Sequence, residues 1–254
     1  MRLGLIDKGW VITDMLASIE SLTPYLVVGL FSVVQSVFGV GLLLFGTPTL
    51  LLLNYSYVEA LWILLPASLT ISLTQILYGV QQIHNQWRVY LLTLPALVAG
   101  LVLVVIRSEQ FDMSKIVGSA LILICLIRFS SRLRNHLTSI IRMHINSYYV
   151  GMGVVHGLSN MGGGLLSVLI SSLYRDKEEV TANIAHVYAV FAISQIVVLF
   201  FLGFSNRESL SFSYCGLALF LFLISRPIAR SIDNKKFELL FTVIIALFGI
   251  LSLA

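Results

Sequence analysis

Two glycine runs, each flanked by side-chain amides and hydroxyls, are the residues of this chain whose types and spacing best suit chemistry. The first is Gly39-Val40-Gly41, preceded by Gln35 and Ser36; the second is Gly162-Gly163-Gly164, preceded by His156, Ser159 and Asn160. A helix restarting after a glycine turn presents three or four N–H groups without intrahelical acceptors and about half a positive charge, which together hold an anion. Glycine suits such a tip because it tolerates positive φ and lets a ligand approach the backbone. Close helix packing by small residues is the competing use. Gln35, Ser36, Ser159 and Asn160 can donate to an oxyanion, or equally satisfy carbonyls freed by the break.

Gln75 and Gln195 occupy equivalent positions in the two halves of the chain. Each is a candidate ligand contact; the plainer role is an interhelical hydrogen bond, worth about 0.6 kcal/mol on average in a membrane. His156 and His186 lie within apolar stretches, where an ionisable residue is a functional candidate by default and a histidine can carry a proton. A neutral imidazole bonded to a neighbouring helix accounts for them as well. Glu59 stands at the lip of a stretch and is expected to face water. No Lys, Arg, Asp or Glu lies mid-stretch, so a crossing anion would rely on amides and hydroxyls. Without a central carboxylate, obligatory proton coupling has no support. Gly157-Leu158-Ser159-Asn160 is faintly similar to a serine-hydrolase elbow but lacks its closing glycine, which leaves an intramembrane hydrolase as a minor alternative.

The elements that position these residues follow from composition. Of 254 residues, 58% are hydrophobic and 11% charged, against about 45–50% and about 25% in soluble domains. The chain is therefore expected to be an all-α integral membrane protein. Its net charge of +4 then belongs to loops and gives no sign of nucleic-acid binding. Cys125 and Cys215 sit inside apolar runs and are expected to be small core residues, with no metal or cofactor implied.

Apolar stretches run from Pro24 to Leu53, Tyr57 to Tyr78, Val89 to Ile106, Ile116 to Ile127, Tyr148 to Leu173, Ala182 to Phe204, Phe212 to Ile224 and Phe237 to Ala254. With flanks, most approach the roughly 20 residues a crossing helix needs. The first and fifth are broken by the glycine runs, and Gly39 and Gly162 lie 123 positions apart, half the chain. Downstream, Leu73-Thr74-Gln75-Ile76 mirrors Ile193-Ser194-Gln195-Ile196 after a shift of three. The expected organisation is an N-terminal surface segment (1–20), a first transmembrane repeat (21–130), a basic connecting loop (131–146) and a second repeat (147–254).

Charge tests the topology. If all eight stretches cross, Lys and Arg divide evenly between the faces. If each glycine-broken stretch is instead a re-entrant hairpin followed by three crossing helices, Arg88, Arg128, Arg132, Arg134, Arg142, Arg175, Lys177, Arg226, Arg230, Lys235 and Lys236 share one face. Only Arg2, Lys8, Arg107, Lys115 and Arg207 oppose them. The hairpin arrangement recovers the expected cytoplasmic bias and makes the halves inverted repeats. The basic cluster around Arg132 and Arg142 is accounted for by anionic headgroups, or by steering an anion toward the cytoplasmic mouth.

At these residues the chain resembles the TauE/SafE family of sulfite exporters and toluene-sulfonate uptake permeases. The run from Gly39 to Pro48 is similar to that family's glycine-rich stretch, and the run from His156 to Gly164 to its partner motif; Leu165 stands where many relatives carry proline. The resemblance covers nearly the whole chain from Pro24 onward. It implies a permease for small anions such as sulfite, organosulfonates or related organosulfur and carboxylate compounds, working by alternating access, with an anion channel as the alternative. The expected partners are a small anionic substrate and the lipid bilayer of the cell's inner (plasma) membrane, with no nucleic acid; a homodimer is compatible with the sequence.

Overall fold

The computed structural model describes residues 21–36, 39–107, 110–204 and 212–231, together with Val243, Leu247, Ile250 and Leu251. Every regular element among them is helical. The helices are α1 (Ser21–Ser36), α2 (Leu42–Leu52), α3 (Tyr57–Gly79), α4 (Leu94–Ile106, extended at its start by a π-turn over Val89–Thr93), α5 (Met113–Phe129), α6 (Ser131–Met143), α7 (Ile145–Ser159), α8 (Gly162–Leu173), α9 (Lys177–Phe201) and α10 (Phe212–Ser231). The expected surface segment 1–20 lies outside the described residues, as does nearly all of the stretch from Phe237 to Ala254.

Local sequence sets the starts. Ser56 and Glu59 form a reciprocal capping box at α3, which uses Glu59 as a cap and keeps its carboxylate at the helix's positive end. Asp112 caps α5 and Asp176 caps α9 through their side chains. Hydrogen bonding to Lys115 holds the Asp112 carboxyl below the ordinary aspartate range. The stretches Tyr57–Gln82, Val89–Ile106 and Lys177–Phe201 are long and apolar enough to cross a membrane.

Contacts across the bundle fix directions. Tyr25 packs on Tyr214 and Ser36 bonds Ser225, both pairs 189 positions apart, so α1 runs parallel to α10. Gly153 abuts Thr93 and Gly157 abuts Leu97, both 60 apart, so α4 runs parallel to α7. α3 packs most extensively on α9. At one end of the bundle, Arg226 covers Tyr78, His84 bonds Glu179 at 2.5 Å and stacks on Tyr174, and Arg88 bonds Asn146 at 3.1 Å. The start of α7 and the end of α8 therefore lie at the same end. At the opposite end, Trp62 near the start of α3 donates to the Phe204 carbonyl just beyond α9.

Three expectations are corrected. The basic connecting stretch 131–146, expected as a loop, is mostly helix α6, capped by Ser130. Its Leu133, Leu137, Ile140 and Ile141 recur at helical spacing, a pattern that its many charges obscured. Gly162, Gly163 and Gly164 form the first turn of α8, and the break itself falls at Asn160 and Met161. Corresponding elements lie 120 positions apart, not 123: Leu42 and Gly162 open α2 and α8, and Tyr57 and Lys177 open α3 and α9. Gln75 and Gln195 keep that same offset.

Candidate functional site

At the first break, Gly39 has φ +71°, a left-handed conformation that glycine adopts without strain, and rests against Thr181 and Ile184 of α9. Gly41 precedes α2, where a Cβ would press on Val34 and on the Gln35 amide. The turn is closed from within. Gln35 Oε1 accepts from the Leu42 N–H at 3.2 Å, and Gln35 Nε2 faces Ser68 and Ser72 on α3 at 3.3 and 3.5 Å. Gln75 Nε2 donates to the Gln35 carbonyl at 3.4 Å, and the Ser36 and Ser225 hydroxyls meet at 2.6 Å.

At the second break, Asn160 takes a left-handed conformation (φ 62°) and its N–H closes α7 onto the His156 carbonyl. A chain of side-chain bonds crosses the protein here. Asn160 Nδ2 donates to Thr47 Oγ1 of α2 at 2.9 Å, Gln195 Nε2 to Asn160 Oδ1 at 3.4 Å, and His156 Nε2 to Gln195 Oε1 at 3.2 Å. Ser159 donates to the Val155 carbonyl and accepts from the Met161 N–H.

No side chain caps α8. The N–H groups of Gly162 and Gly163 open the helix and so lack intrahelical acceptors. Two fully buried polar atoms without partners stand beside them, His156 Nδ1 and the Tyr188 hydroxyl. Tyr188's hydroxyl occupies the space a Cβ would fill at Gly163, and His156 does the same at Gly162, where its Cβ comes within 2.5 Å of that position. A Cβ at Gly164 would come within 2.7 Å of Ile124. Each glycine of the run thus admits a group that any side chain would displace.

Gln35, Ser36 and Gln75 therefore gather at the first break, and His156, Ser159, Asn160, Gln195 and the glycine run at the second. Thr47, on the helix that the first break opens, bonds Asn160 at the second. His186 lies apart, half-buried and bonded to the Tyr90 hydroxyl at 2.7 Å. Thr47, Ser68, Ser72, Tyr188 and Ser225 went unnoticed in the sequence. A signal existed for some of them: Ser68, Ser72 and Gln75 follow helical spacing on one face of α3, and Tyr188 precedes Gln195 by two turns.

Among the described residues no Lys, Arg, Asp or Glu is buried, and no cluster of three or more His, Cys, Asp or Glu could hold a metal. The interior offers amides, hydroxyls and one imidazole as its polar groups. Such a set replaces the hydration of an anion with dipoles rather than with an opposite charge.

Searches of curated proteins and of solved structures gave no match. The family model described as sulfite exporter TauE/SafE matches residues 25–252, which takes in both breaks and every helix except the opening residues of α1. By that match, the chain belongs to the TauE/SafE family of membrane transporters.

Proposed function

We propose that this protein carries small sulfur-containing oxyanions, sulfite or organosulfonates, across the inner membrane by alternating access around its two broken segments. The observation that carries the proposal is the uncapped first turn of α8, with the Tyr188 hydroxyl and His156 Nδ1 buried and unpartnered beside it. A buried polar group left unpaired costs about 1–3 kcal/mol. The Tyr188 hydroxyl, a donor, is accounted for if an anion's oxygen completes it during transport. His156 Nδ1, an acceptor because Nε2 donates to Gln195, would be completed only by the O–H of a protonated oxyanion. The Gly162 and Gly163 amides and the Tyr188 hydroxyl would donate to the anion's oxygens, while Asn160 and Gln195 hold the turn in register.

In this proposal α1–α2 and α7–α8 are re-entrant hairpins of inverted repeats. Support comes from α7 and α8 having their outer ends together, and from the constant offset of 120 between α2–α3 and α8–α9. At about 1.5 Å per residue, the 11 to 16 residues of each arm fall short of a bilayer core of roughly 30 Å. The end that gathers Arg88, Arg175, Lys177 and Arg226 would face the cytoplasm. Proteoliposomes holding the purified protein should show saturable sulfite or organosulfonate flux that supports counterflow. Flux no greater than that of empty vesicles would end the proposal, and ohmic currents far above carrier turnover would replace it with a channel.

A further inference from the structure

A cavity of about 520 Å³ opens at the basic end of the bundle between α1, α3, α9 and α10. It lies within the roughly 300–1,000 Å³ typical of small-molecule sites. Its lining includes Ser36 and Gln75 from the first break, together with Tyr78, Lys177, Glu178 and Arg226; the Glu178 carboxylate accepts from Gln82 Nε2 at 3.4 Å, and the two cations outnumber it. The Arg226 guanidinium sits over the Tyr78 ring, 3.4 Å from its centre. That contact holds the guanidinium at the cavity, and a guanidinium stacked on an aromatic ring retains N–H groups with which it can hold an oxyanion. Among the described residues no carboxylate forms an ion pair with Arg226.

The cavity is too large for a bare inorganic oxyanion. At about 30 Å³ per water molecule, it has room for well over a dozen waters, whereas sulfite has only four heavy atoms. Tyr78, Ala182 and Phe222 give it an apolar wall beside the guanidinium. We propose that this cavity is a second anion site, a vestibule in which Arg226 holds the head group of an organic sulfonate while its hydrocarbon tail lies against Tyr78 and Phe222. The site takes its purpose from the transport proposal, since it leads to the first break, but its chemistry stands independently.

The test is equilibrium binding to the full chain in detergent by calorimetry, with methanesulfonate and 1-butanesulfonate as probes. Each buried methylene is worth about a fourfold gain, so butanesulfonate should bind at least tenfold more tightly than methanesulfonate. Arg226→Gln should weaken both by tenfold or more, and Arg226→Lys by less. Butanesulfonate should also protect a cysteine placed at Thr181, on the cavity wall, from maleimide in a protein that lacks Cys125 and Cys215 and keeps Arg226. That second readout decides the matter if Arg226→Gln fails to fold. Equal affinity for the two probes, unchanged binding in a folded Arg226→Gln, or no protection at position 181 would each overturn the vestibule. Absent flux with intact Arg226-dependent binding would instead remove the transport proposal and leave the vestibule standing.

Discussion

The Tyr148 hydroxyl donates to the main-chain carbonyl of Leu165 at 2.8 Å, across 17 positions of sequence. In one continuous helix those residues would stand about 25 Å apart along the axis, far beyond the reach of a tyrosine. The chain between them must turn back, and the turn is where Asn160 goes left-handed. Phe31 and Phe45 make the corresponding contact in the first half, with ring centres 5.6 Å apart across 14 positions.

This folding-back gives a topological prediction. In a background without Cys125 and Cys215, cysteines replacing Asn135 and Arg175 should react with an impermeant maleimide from the same side of the membrane. A cysteine at Gln110 should react from the other side. All three positions are exposed. If Arg175→Cys labels opposite to Asn135→Cys, α7 and α8 together cross the bilayer and the hairpin is wrong.

Tyr188→Phe separates a structural role from a functional one. Its hydroxyl has no partner in the protein, so removing it should leave thermal stability unchanged or slightly raised. If that hydroxyl donates to the anion, its loss should cut sulfite flux roughly 10- to 150-fold, the equivalent of about 1.5–3 kcal/mol for a hydrogen bond to a charged group. Wild-type flux in a stable Tyr188→Phe protein would remove Tyr188 from the site.

How much of this was legible in the sequence depended on pattern. The two glycine runs and the two glutamines stand out against an apolar background, so an interruption in each half and the equivalent positions of Gln75 and Gln195 could be read directly, although the second interruption falls at Asn160 and Met161, just before its glycines. Tyr188 and Thr47 could not be distinguished from ordinary helix residues. Their importance depends on α9 and α2 being brought against the second break, which is a tertiary event. Arg226 was read as a topology marker because position beside an apolar stretch says nothing about a cavity. The offset was misjudged by three because the glycines sit before α2 in one half and inside α8 in the other.

Two glycines of α7 should respond oppositely to alanine. A Cβ at Gly157 would collide with the Leu97 carbonyl and the Leu101 amide of α4, neither of which can rotate away, whereas Gly151 has nothing within 4 Å. Gly157→Ala should cost about 1–3 kcal/mol by overpacking. Gly151→Ala should be neutral or add up to about 1 kcal/mol through helix propensity. Thermal unfolding in detergent measures both, and a neutral Gly157→Ala would show that α4 and α7 do not pack as closely as described.

The chain from Thr47 through Asn160 and Gln195 to His156 should behave as one unit. Gln195→Leu strips partners from both His156 Nε2 and Asn160 Oδ1, leaving buried polar atoms that cost about 1–3 kcal/mol when unpaired. His156→Leu removes one of those atoms together with its need for a partner. The double variant should therefore be more stable than the sum of the single effects predicts, by at least the roughly 0.6 kcal/mol average for side-chain bonds within membranes. A cycle measured by unfolding in mixed micelles reads this coupling directly. Strict additivity would mean that His156 and Gln195 do not share a hydrogen bond in the folded protein, and that the second break is positioned by helix packing alone.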